Sequence, residues 1–126
     1  MVPLSEKNVV IDETYPSRQL LDLIGDKWTP LVLYVLGYGT QRYSTLQRQI
    51  PGVSKKMLTQ TLRHLEQSGL LKRKVYPVVP PRVEYVLTPL GQKFVEPVAA
   101  LCQWAQEHQG ELTAVRKYQQ KRRPPR

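Results

Sequence analysis

From residue 17 onward the apolar positions fall into short helical runs separated by Gly and Pro. Leu20, Leu21 and Ile24 recur at helical spacing behind Ser17, a candidate N-cap, and Gly25 supplies a stop. Asp26 then caps a second predicted helix, Lys27 to Leu36. Its Trp28, Leu31, Val32, Leu33, Val35 and Leu36 leave almost no polar face, which predicts a buried helix ended by Gly37 and Gly39. Ser44 and Gln47 have the form of a capping box opening a third helix to about Ile50. Pro51-Gly52 breaks the chain, Ser54 caps a fourth helix running to Gly69, and Val53 and Leu58 are spaced as its hydrophobic staple.

Beyond Gly69 the period changes. Leu70 to Tyr76 and Arg82 to Thr88 read as two strands joined by Pro77-Val-Val-Pro-Pro81, a hairpin in which Val83, Tyr85 and Leu87 face inward while Arg82 and Glu84 face solvent. Thr88-Pro89 opens a last helix with Phe94, Val98, Leu101 and Trp104 along one face, and Pro97 predicts a kink near residues 93 to 96. The fold class is therefore mainly α with a small β-hairpin wing (α+β), and two short helices around a tight turn match a helix-turn-helix. Residues 1–16 read as an N-terminal arm, 17–109 as the winged helix-turn-helix domain, and 110–126 as a basic, disordered tail.

Charge narrows the partner class. The chain carries 19 Lys and Arg against 10 Asp and Glu, a formal +9 that favours polyanions. Residues 116–126 hold six of those cations and no acid, so the preceding chain is only +3 and net charge alone decides nothing. The lone Cys102 excludes an internal disulfide, and with two scattered histidines it builds no Cys/His zinc site, so no metal or cofactor is expected. No signal-peptide pattern opens the chain and no apolar run is long enough for a bilayer, which predicts a cytoplasmic protein without membrane contact.

The deciding pattern lies on the fourth helix. At 100° per residue Leu58, Leu62 and Leu65 share one stripe, while Lys56, Gln60, Arg63 and Gln67 lie opposite. Arg and Lys donate to guanine O6/N7 and Gln pairs with adenine N6/N7, so such a surface suits the major groove. Residues near the helix start reach deepest, which makes Ser54, Lys56, Thr59, Gln60 and Arg63 the base-reading candidates. Lys55 beside them, Arg42 before the third helix, and Lys72, Arg73, Lys74 and Arg82 on the hairpin are candidates for clamping phosphates.

With those residues in place, GDKWTPLVLYVL, RYSTLQRQIPGVSKKMLTQTLRHLEQSGLLKRKVY, PPRVEYVLTPLG and the late Trp104 resemble successive signatures of the HxlR family over about residues 16–108. The resemblance implies a winged helix-turn-helix regulator that dimerises through its first and last helices and binds an inverted-repeat operator of double-stranded DNA. Leu20, Phe94, Val98, Leu101, Cys102 and Trp104 are the homodimer interface candidates. Many relatives carry a cysteine just before the proline that opens the first helix, and some sense oxidants with it. Here Tyr15 precedes Pro16, a departure that leaves the transfer of that mechanism open, and Cys102 reads first as a packing residue, its redox role undecided by the sequence. A small-molecule effector held between subunits stays open, and the sequence identifies none.

An enzyme would need a nucleophile with a base, paired carboxylates or a phosphate-cradling loop, and no such set is present. His64 and His108 read as surface imidazoles. The alternative of a winged-helix protein-interaction module fits poorly with a basic outward stripe, because a protein interface wants an apolar or aromatic centre. RNA binding would normally put aromatic platforms on the sheet, which the hairpin lacks.

Overall fold

A computed structural model of the chain describes residues 9–122. The order is α1 (Pro16–Ile24), α2 (Thr29–Leu36), β1 (Gln41–Arg42), α3 (Tyr43–Gln49), α4 (Lys55–Gln67), β2 (Leu71–Tyr76), β3 (Arg82–Leu87), α5 (Pro89–Glu107) and α6 (Gln109–Arg122). The first eight residues of the expected arm lie outside the described residues, and Val9 to Thr14 are exposed.

The helix starts show where local chemistry competes with the chain around it. In α1 Pro16 takes the first turn, where its missing N–H is no loss, and Tyr15 precedes it without a side-chain bond, so Ser17 is not the cap. Asp26 does cap the next helix: its Oδ1 accepts from the amides of Trp28 and Thr29, both at 2.8 Å. Those bonds place Lys27 and Trp28 before the helix, which begins at Thr29. Partial burial works against the Asp26 charge, but the Thr29 hydroxyl, the Thr29 amide and the Trp28 amide outweigh it and hold the carboxyl below its usual range. In α2 Thr29, Val32, Leu33 and Leu36 are buried, whereas Leu31 is 38% exposed, so the helix is less enclosed than its apolar sequence predicts.

A strand absent from the sequence reading explains the start of α3. Gln41 and Arg42 pair antiparallel with Tyr85 and Glu84 of β3, giving a three-stranded sheet of order β1-β3-β2. Ladder pairing keeps the backbone extended through Arg42, so α3 opens at Tyr43 with no side-chain cap, and the expected Ser44–Gln47 box is not formed. The hairpin lies where predicted: β2 and β3 are in register from Leu71↔Leu87 to Tyr76↔Arg82.

The base of the hairpin is fastened to α5. Thr88 donates its amide to the Leu70 carbonyl at 3.0 Å and its hydroxyl to the Gly69 carbonyl at 2.7 Å, while its Oγ accepts from the Gly91 amide at 3.0 Å. Gly91 is required there, since a Cβ would sit 2.1 Å from the Leu70 oxygen. The helix continues on both sides of Pro97.

The core gathers Leu33 and Leu36 from α2, Leu46 from α3, Leu58 and Leu65 from α4, Leu70, and Val98 from α5. Val98 is 1% exposed within the protomer, which removes it from the interface candidates. The tail expectation also changes, because Gln109–Arg122 is helical. Glu111 in its first turn and Lys121 and Arg122 in its last oppose the helix dipole favourably, yet none of its residues is buried. Among the described residues no helix is long and apolar enough to cross a membrane.

Candidate nucleic-acid interface

The two helices α3 and α4 meet through a turn drawn tight by Ile50 N–H to Leu46 and Val53 N–H to Ile50, at 3.1 and 3.2 Å. Gly52 in this turn has φ +94°, a conformation that favours glycine. The turn delivers Ser54, whose Oγ accepts from the Met57 amide at 3.1 Å, as the cap of α4. Val53 and Leu58 are both buried, as the predicted staple requires.

From this anchored start the two faces of α4 separate by burial. Leu58, Thr61, Leu62 and Leu65 are turned into the core. Ser54, Lys55, Lys56, Gln60, Arg63 and Gln67 are all exposed. Thr59 differs from the other base-reading candidates. It is half-buried, and its hydroxyl lies 3.1 Å from the Tyr43 hydroxyl, which donates to the Lys55 carbonyl at 3.0 Å. With the Tyr43 proton spent on Lys55, the Thr59 hydroxyl donates to Tyr43, and Thr59 fixes the first turn of α4 to α3 instead of pointing outward. His64 is no free surface imidazole either: its Nε2 lies 3.0 Å from the Leu23 carbonyl and ties α4 to α1.

The wing divides its cations by strand alternation. Lys72, Arg73 and Lys74 are exposed, but Arg73 is opposite Tyr85 and shares with Thr59, Leu62, Arg63 and Glu66 a cleft of about 90 Å³ against α4. Lys72 and Lys74 therefore occupy the other face. Glu84 is the organising acid there, opposite both Lys74 and Arg42 in the ladder. Its carboxylate is 3.7 Å from Arg82 Nε, and the Arg82 guanidinium stacks 4.4 Å from the centre of the Tyr76 ring. The negative charge of nearby Glu84 also holds the Tyr76 phenol above its ordinary pKa. Arg82, expected to reach phosphate from a solvent-facing position, is only half-exposed and drawn toward Glu84 and Tyr76, though its Nε makes no hydrogen bond among the described residues. Arg42 remains exposed at the start of α3.

The interface candidates separate in the same way. Leu101 and Trp104 are 61% and 53% exposed, and Leu21, unremarked in that role, is 61% exposed. Leu20, Phe94 and Cys102 are half-buried against the core. Trp104 stacks on His108 at 3.9 Å between ring centres.

A capped helix presented over a turn, with a three-stranded sheet and a hairpin beside it, defines a winged helix-turn-helix transcriptional regulator. Comparison with known proteins agrees: residues 23–113 match the HxlR-like helix-turn-helix family. The chain belongs to that family. It is 50% identical over 113 residues to the HTH-type transcriptional regulator YtfH of Escherichia coli K12, covering 90% of this chain and 89% of the relative. The structure of the YtfH regulator from Salmonella typhimurium is 47% identical with a TM-score of 0.73, covering 84% of this chain and 95% of that one. The redox regulator HypR in its reduced form is 35% identical with a TM-score of 0.74, covering 79% of this chain and 98% of that one. The family and these relatives are regulators of transcription, not enzymes.

Proposed function

We propose that the chain binds a palindromic operator as a homodimer, each protomer laying α4 in a major groove and its wing along the flanking backbone. Half-sites then stand about one helical turn apart. The observation that carries the reading is the outward exposure of Lys56, Gln60 and Arg63 on a helix whose opposite face is buried and whose first turn is pinned by Tyr43. Gln60 and Arg63 read bases, Lys56 and the exposed Ser54 border them, and Lys55, Arg42, Lys72, Arg73 and Lys74 hold phosphates. The exposed Leu21, Leu101 and Trp104 on α1 and α5 supply the apolar surface for the partner subunit, with Leu20, Phe94 and Cys102 packed beneath them. HypR is a redox regulator, whereas here the sole cysteine, Cys102, is half-buried on α5 and no second thiol of the same chain can pair with it.

Sites recovered by selection from random duplexes test the proposal. Gln60→Ala and Arg63→Ala should each weaken binding to a selected site by about 1 to 3 kcal/mol and leave binding to scrambled duplex nearly unchanged. Equal losses on both duplexes would reject base reading by these side chains.

A further inference from the structure

A second concave surface lies behind the helix-turn-helix. It is a slot of about 470 Å³ between α2 and the turn that joins α3 to α4, within the size range of small-molecule sites. One wall is the stripe Trp28, Leu31 and Val35; the other is Ile50, Pro51 and Gly52. Gly52 faces the Trp28 ring across the slot, and a Cβ there would lie in ordinary contact with that ring at 3.9 Å; what reserves the position for glycine is its φ of +94°. Leu31 is left 38% exposed by this arrangement, an apolar side chain only partly covered by the described residues.

The polar groups of the slot have one sign. Lys27 stands at the rim with its ammonium 4.8 Å from the centre of the Trp28 ring, and Gln49 and Tyr34 add a neutral amide and a neutral hydroxyl. None of the lining residues is acidic, and the one ion pair among the described residues is the distant Arg82–Glu84. The neighbouring Asp26 does not neutralise Lys27 by contact, since the two are not within ion-pair distance and the carboxylate is turned to the Trp28 and Thr29 amides and the Thr29 hydroxyl. An apolar slot with an indole wall and a cation at its mouth complements a flat apolar ring bearing one negative charge.

We propose that this slot binds a small aromatic carboxylate whose occupancy is read by α4. The ring lies against Trp28, Leu31 and Pro51, and the carboxylate meets Lys27. Ile50, Pro51 and Gly52 form the wall that moves, and Val53 and Ser54, the staple and cap of α4, follow directly in the chain. A ligand that parts the walls therefore turns the base-reading face and lowers operator affinity. This second half rests on the operator-binding function proposed above, and the first half does not.

The test uses the intact chain with 2-naphthoate as probe, and its two tryptophans, Trp28 and Trp104, separate site from background. Indole N–H resonances, assigned with Trp104→Phe, should show a saturable shift of Trp28 while Trp104 stays still. Lys27→Met should weaken 2-naphthoate about tenfold and leave the weaker binding of 2-naphthalenemethanol unaltered. Leu31→Phe should fill the slot and abolish the Trp28 shift, with a native circular dichroism spectrum. On a selected duplex, probe should release the wild type, need about tenfold higher concentration to release Lys27→Met, and spare Leu31→Phe. Equal movement of both indoles, no saturation, or full affinity in Lys27→Met would overturn the site. A Trp28 resonance that responds to protein dilution and not to probe would assign the slot to a second copy of the chain and overturn it as well. Probe binding without loss of operator affinity would refute the coupling, and a chain that takes the probe but binds no duplex would refute the function and uphold the site.

Discussion

Replacing Tyr43 with Phe removes one oxygen and tests whether α4 is held in place by α3. The hydroxyl takes part in two bonds, to the Lys55 carbonyl at 3.0 Å and with the Thr59 hydroxyl at 3.1 Å. Neither partner is stranded by its loss. The Lys55 carbonyl keeps the amide of Thr59 as its intrahelical donor, and the Thr59 hydroxyl can turn back to that same carbonyl or to water. Each bond therefore contributes toward the lower end of the usual range, and together they stabilise the fold by about 1 kcal/mol. Urea unfolding followed by circular dichroism should show that loss as a lower midpoint at an unchanged slope. If the first turn of α4 must be ordered again on each base-reading encounter, up to the same 1 kcal/mol reappears as about fivefold weaker binding to a selected operator. Scrambled duplex, held through phosphates, should bind as before. An unchanged midpoint, or equal weakening on both duplexes in a fluorescence anisotropy titration, would refute the anchoring role of Tyr43.

Three further outcomes follow from the geometry. Lys74→Ala should lower the dependence of log affinity on log salt by about one unit on any duplex, and Arg82→Ala should lower it by less, because its guanidinium is engaged by Glu84 and Tyr76; equal changes in the two salt titrations would contradict that difference. Gly91→Ala needs about 1.3 Å of separation to bring its Cβ from 2.1 Å to ordinary contact with the Leu70 oxygen, and should destabilise the fold by about 3 kcal/mol in thermal or urea unfolding. Asp26→Ala should cost about 1 kcal/mol through the lost cap. Because the folded-state pKa of Asp26 is depressed, its contribution is present above the unfolded value near 3.9 and declines as pH falls through the folded value, so wild type and variant should converge in stability in strong acid.

The parts of the fold that the sequence made readable are those decided within a few residues. Ser54 and Asp26 cap because their oxygens reach amides two or three positions on, and the leucine stripe of α4 buries itself because its period is helical. Interactions across long separations were invisible. Tyr43 reaches Thr59, His64 reaches Leu23, and β1 pairs with residues more than forty positions away; none has a local pattern to announce it. The same limit applies to the charges. Arg82 and Lys74 are alike in sequence, and only the register that sets Glu84 beside both Lys74 and Arg42 shows how the acid moderates the wing. Val98 repeats on the apolar face of α5 with Leu101 and Trp104, but the helix turns it toward α2 and leaves the other two outside. Reading residues 110–126 by net charge hides the strong helix formers and the end charges that suit a helix dipole in Gln109–Arg122.

The fastening of α5 at Gly69, Leu70 and Gly91 makes one lever of two elements. With the joint held on both sides, a tilt at the start of α5 is coupled to the hairpin. Six residues of strand reach about 20 Å from that joint, so a rotation of about 5° swings the tip by about 2 Å, more than half the length of a hydrogen bond. On the mode of binding proposed above, a displacement of α5 at the subunit interface is thereby coupled to the wing's hold on the DNA backbone.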